Sequence, residues 1–137
     1  MRLLFRVMRP ADDGFPNLGR SASTLGIRAE GRDNRPDIRV VDGYVMPDRG
    51  GMSVTPDDWH GIYFVFLENA LDNAEPDRIW CLDEESLSDD LIFRIDSRHP
   101  DTHGFIEPAR RMPLEEYEAL LGATRLHWRL YSITETA

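Results

Sequence analysis

Apolar positions fall into short runs separated by glycine, proline and acidic turns, and the period of each run predicts its element. LLFRVM at 3–8 predicts a strand that stops before Pro10 and the turn formers Asp12, Asp13 and Gly14. Arg6 interrupts it. From there to Pro36 neither strand nor helix period is sustained, so the stretch reads as irregular, with one short helix near 21–25. IRVVDGYVMP (38–47) sets two apolar runs around Asp42-Gly43, a pair that fits a type I′ turn and predicts a hairpin. Gly50 and Gly51 then open a strand with Ser53 between Met52 and Val54, and 55–58 reads as a turn or short capped helix.

Three further runs predict strands: IYFVFL (62–67), aromatic and β-branched as in a buried strand, RIWCL (78–82), and LIFRID (91–96), which alternates an apolar with a mixed face. The acidic link 83–90 reads as a helical turn capped by Asp83 or Ser88. Leu114, Tyr117, Leu120 and Leu121 fall on one helical face, with Pro113 in the first turn and Gly122 at the end. LHWRLYSI (126–133) alternates as a last strand. No repeat or linker divides the 137 residues, so a single loop-rich domain spanning 1–137 is expected, large enough to bury about two-thirds of its unfolded surface.

Composition removes several classes. No run of about 18 apolar residues could span a bilayer, and no charged start leads into an apolar signal core, so a soluble chain without an ordinary secretory signal is expected. One cysteine, Cys81, excludes an internal disulfide, suits a reducing cytoplasm, and by its apolar strand setting reads as a packing residue. The net charge of -9 is concentrated: residues 67–101 hold three arginines against eleven acids, whereas 1–66 hold nine against nine. That surface disfavours nucleic acid and anionic membrane, and leaves either a solvated acidic face or a docking site for a basic protein. All sixteen basic residues are arginine, which reads as codon bias or as preference for the planar guanidinium at an anion site.

Chemistry concentrates in three patches. Arg6 lies in an apolar strand and must find acceptors there, either carboxylates of this chain or phosphates of a ligand. Ser53 follows two glycines that permit a tight turn or close approach of a ligand to the backbone; taken locally, an ordinary exposed serine at a hairpin entry is the favoured reading. In HGFIEP, Phe105 and Glu107 share one face of a short strand, so the carboxylate faces a cleft or ends the strand at the surface. His99 and His103 have the spacing of some zinc ligands, but Pro100 and Gly104 break a helix and no cysteine cluster accompanies them, so no metal is expected. P-loop, GxGxxG and GxSxG motifs are all missing.

The order of these patches resembles an ADP-ribosyltransferase core and, more narrowly, the small ADP-ribosyltransferase-like effector toxins delivered through type VI secretion. The likeness lies in the LFR-type first strand, DGYVMPDRGGMSV at 42–54 and DSRHPDTHGFIEPARRM at 96–112. It implies an α+β fold of short antiparallel strands in two packed sheets with a few helices, and NAD as substrate. On that likeness Arg6, Ser53 and Glu107 are the catalytic set, with Glu107 stabilising the positive charge that grows as nicotinamide leaves. Arg6 would clamp the pyrophosphate and ribose. Gly51, Ser53, Tyr63 and His103 would join it in holding NAD, and Trp59, Tyr63 or Phe64 would wall the nicotinamide.

Two departures bear on the reaction. The middle strand reads Met-Ser-Val where many members have Ser-Thr-Ser, and Phe105 stands where arginine-modifying relatives carry Glu or Gln. An arginine acceptor is thereby disfavoured, and transfer to another intracellular target or hydrolysis of NAD stays open. The resemblance implies a cytoplasmic toxin, neutralised by a cognate immunity or antitoxin protein and reaching a rival cell without a signal peptide. The rival reading is a non-catalytic interaction module, immunity-like or adaptor, that binds a basic partner through 67–101.

Overall fold

The computed structural model describes residues 2–132. Its elements are β1 (Leu3–Met8), β2 (Tyr44–Val45), β3 (Met52–Pro56), α1 (Phe64–Leu71), β4 (Arg78–Asp83), β5 (Leu91–Ile95), β6 (Gly104–Pro108), β7 (Met112–Pro113), α2 (Leu114–Ala123) and β8 (Arg129–Leu130). Six strands form one sheet in the order β5-β6-β3-β1-β4-β8, and β2 pairs with β7 apart from it. Every neighbouring pair is antiparallel, and with two helices the fold is α+β.

Alternation along β1 decides which core each side chain joins. Leu4 and Met8 enter a large cluster with Met52, Val54, Trp80 and Ile106, covered by Tyr117 and Leu121 of α2. Phe5 and Val7 enter a smaller one with Ile79 and Cys81, covered from Trp59, Ile62 and Ala70. Cys81 is thus a buried packing residue. The Glu84–Ser86 turn is capped by Asp83, as its sequence predicts.

Tyr117 does more than fill space. Its hydroxyl accepts from the Met52 N–H at 3.0 Å and donates to the Ile106 carbonyl at 2.5 Å, bridging β3 and β6 where those two residues face each other. Burial raises the phenol's pKa. Gly51 leaves room for this bridge, since a Cβ there would lie 2.5 Å from the Ile106 carbonyl oxygen and 3.1 Å from the Tyr117 hydroxyl. What approaches the glycine backbone is therefore a neighbouring strand.

Five sequence expectations change. The segment 62–67 is no strand: Asp58 caps a 3-10 turn at Trp59–Gly61, and the chain enters α1 at Phe64. Both lanes beside β1 are already taken by β3 and β4, so β propensity yields to the available surface. Tyr63 and Phe64 are 63% and 60% exposed. The expected helix at 21–25 is an irregular turn whose carbonyls face Arg6. Asp42 (φ 52°) and Gly43 (φ 80°) do make the tight turn, but their flanks bridge only at Val41 and Tyr44 before β2 leaves to pair with β7. The last strand shrinks to Arg129–Leu130 after a 3-10 turn at Arg125–His127, and Ile133 lies outside the described residues. Gly122 sits inside α2, which runs on to Ala123.

Candidate active site

β1 and β3 pair only through Leu4 with Pro56 and Phe5 with Thr55. Beyond Phe5 the strands part, and the Arg6 guanidinium fills the opening. Its Nη1 donates to the Ser53 carbonyl at 2.7 Å, Nε and Nη2 to the Thr24 carbonyl at 3.2 and 2.8 Å, and Nη2 also to Ser21 and Gly26 carbonyls at 3.2 and 3.4 Å. The arginine thus replaces the missing ladder and ties the 21–26 turn to β3. Burial lowers its pKa to about 10, which still leaves it charged at neutral pH. Its acceptors are backbone carbonyls, a third option beside the carboxylates and phosphates that its sequence setting calls for.

Next to this opening lies a cleft of about 420 Å³, within the size range of small-molecule sites. Arg6, Ser53, Tyr63 and His103 line it, together with Arg28 and Asp37. Gly51 and Glu107 do not line it. Neither do Trp59, which stacks on His60 at 3.9 Å between ring centroids, nor Phe64, whereas Phe66 does. Register sets Ser53 opposite Phe105, so Ser53, Phe105 and Glu107 share one sheet face, while Arg6 alternates to the other and reaches Ser53 through the opening.

Glu107 is 1% exposed. Its Oε1 accepts from Arg94 Nε at 2.7 Å and from the Asp48 N–H at 3.1 Å. The carboxylate raises the Arg94 pKa. Asp48 is held at φ 64°, in the left-handed region, on the turn that covers Glu107.

His103 is fixed from behind, with Nδ1 2.8 Å from Asp96 Oδ2 and its ring edge-on to Phe105 at 4.8 Å. A bonded acid orients an imidazole and leaves its other nitrogen for proton transfer. The His103 bond and the Arg98 N–H lower the Asp96 pKa. A depressed folded-state pKa contributes stability that is present above the unfolded value, about 4, and is lost as pH falls through the folded one. Asp96→Asn is therefore expected to melt below wild type at pH 7 and to converge with it in strong acid. Thermal melts across pH 2–7 check this, and an unchanged gap in acid would refute it.

Arg28, Asp37 and Asp96 were missed from sequence. Arg28 carries the same mark as Arg6, a cation between apolar residues: Ile27 and Ala29 are 0% and 1% exposed. Among the described residues no three His, Cys, Asp or Glu side chains converge as metal ligands, and no helix is long and apolar enough to cross a membrane.

An antiparallel sheet that opens onto a cleft beside a strand-borne arginine, with a buried glutamate two strands away on β6, fits an ADP-ribosyltransferase-like α+β protein. Comparison with known families matches residues 2–128 to the Tse2 ADP-ribosyltransferase toxin, and the chain belongs to that family. The match takes in every described strand except β8, and the whole cleft. No curated protein matches the chain significantly.

Proposed function

We propose that the protein is a toxin that binds NAD in the cleft and breaks its nicotinamide–ribose bond, passing ADP-ribose to an acceptor or to water. The observation that carries this reading is the cleft itself, with cations on one wall and aromatic residues Tyr63 and Phe66 on another, in a chain of this family. The bonding pair of the glycosidic bond leaves with nicotinamide, and the ribose passes through an oxocarbenium-like state. Glu107 is the carboxylate for that charge. In this structure Arg94 holds it outside the cleft lining, on the sheet face it shares with Ser53, so engagement requires the Arg94 bond to open and the ribose to reach past Ser53 toward β6.

Arg6 keeps the cleft wall in place and offers the ribose its second Nη1 hydrogen. Ser53 lies where β3 parts from β1, beside the nicotinamide, and Tyr63 covers it at the rim, while Gly51 acts only behind them by letting β6 and Tyr117 pack against β3. His103, oriented by Asp96, takes the proton of the attacking hydroxyl or water. Phe105 beside it offers no second acid, which favours an acceptor other than arginine. A protein with this activity works in the cytoplasm, whether made there or delivered by a secretion apparatus, and its producer needs a neutralising partner. The acidic stretch 67–101 is the natural face for such a partner if that partner is basic.

Purified protein incubated with NAD should release nicotinamide, and expression from a tightly repressed promoter should arrest growth and deplete cellular NAD. Harmless expression with unchanged NAD would overturn the reading and favour an interaction module.

A further inference from the structure

Arg6 and Arg28 are the two cations of the cleft, and they are bonded very differently. Five bonds run from Arg6 to four backbone carbonyls, and the residue is 7% exposed. Arg28 has a side chain 29% exposed and is gripped along one edge by a single carboxylate. Asp37 Oδ2 accepts from Arg28 Nε at 3.2 Å and from its backbone N–H at 2.8 Å, while Oδ1 accepts from Nη2 at 2.8 Å. No protein acceptor among the described residues takes the Nη1 hydrogens.

A guanidinium held along its Nε–Nη2 edge keeps its Nη1–Nη2 end free, and that end is the fork that binds two phosphate oxygens at once. Asp37 also removes the cost of ordering the long side chain when a ligand arrives. Charge points the same way. The protein carries -9, yet the charged residues lining the cleft are two arginines against one aspartate, a local positive site in an acidic molecule.

We infer that Arg28, braced by Asp37, is the pyrophosphate-binding group of the cleft, and that Arg6 acts chiefly as the cross-piece that builds its wall. The inference rests on NAD being the substrate. It assigns the anionic middle of the dinucleotide to the Arg28 side of the cleft and the nicotinamide end to Ser53, Tyr63 and His103.

Calorimetric titration of wild type and Arg28→Gln with NAD, ADP-ribose and nicotinamide riboside separates the parts of the ligand. Arg28→Gln should lose about 10- to 100-fold in affinity for NAD and ADP-ribose, with riboside binding changed less than about twofold. Equal NAD affinity in the two proteins overturns the inference and leaves the NAD reading intact. A second measurement needs no substitution: inorganic pyrophosphate added to wild type should shift the Arg28 Nε–Hε resonance, assigned from the backbone. Shifts confined to other arginines overturn the proposal even if the variant fails to fold. Wild type that ignores NAD but shows the Arg28 shift refutes NAD as substrate and supports the anion site; wild type that shows neither refutes both.

Discussion

Glu107→Gln is expected to lower the rate of nicotinamide release by about 10²- to 10³-fold, the usual loss when a fixed group that meets developing charge is neutralised. Gln keeps an oxygen where Oε1 accepts from Arg94 and from the Asp48 N–H, so the turn over the residue retains its partner. Arg94 is 43% exposed and stays solvated without the opposing charge. The loss should therefore appear in turnover with little change in melting temperature. Nicotinamide release measured beside a thermal melt checks this, and retained turnover in a folded variant would remove Glu107 from the chemistry.

Arg6→Ala should behave in the opposite way. Truncation strips partners from the carbonyls of Ser21, Thr24, Gly26 and Ser53 and empties the opening between β1 and β3. Breaking a buried charged network of this kind costs about 3–5 kcal/mol, a large part of the stability of a domain this size. Denaturant unfolding measures it directly. A stability within about 1 kcal/mol of wild type would mean that the turn holds itself. With the expected loss of stability, loss of toxicity in Arg6→Ala reports a collapsed cleft wall, and only the Glu107 and Arg28 variants isolate chemistry and binding.

The sequence was most legible where period and context agree. β1, β4 and β5 were readable because their apolar runs lie between turn formers, and α2 because Leu114, Tyr117 and Leu121 repeat at helical spacing. The segment 62–67 misled because its residues favour strand, yet it pairs with no strand of the sheet and instead lays Ile62, Phe66 and Leu67 on the Phe5 and Val7 face as the approach to and start of α1. The 21–25 turn misled for a related reason: its carbonyls bond a side chain fifteen or more residues away, a partner that no local pattern reveals.

At the site, an arginine in an apolar strand correctly announced an unusual bonding need at Arg6, and its answer was supplied by the backbone. Ser53, Tyr63 and His103 reached the cleft; Gly51 instead makes room for β6, and Glu107 lies behind Arg94. Arg28 was overlooked because its flanks are single residues and form no run, although Ile27 and Ala29 are as buried as any strand core. Asp96 and Asp37 act by pairing, and a pair is invisible until the chain is folded.

The helical state of 62–67 also affects how the protein must be handled. Six consecutive uncharged residues with high β propensity, two of them aromatic rings largely in solvent, make up the approach to and first half of a short helix. Such a segment held as helix only by its neighbours is a latent cross-β strand. Glu68 on one side and Asp57 and Asp58 on the other are its only charged gatekeepers. Any treatment that loosens α1 before the main sheet melts, gentle warming above all, should therefore drive precipitation through this stretch while the rest of the molecule is still native.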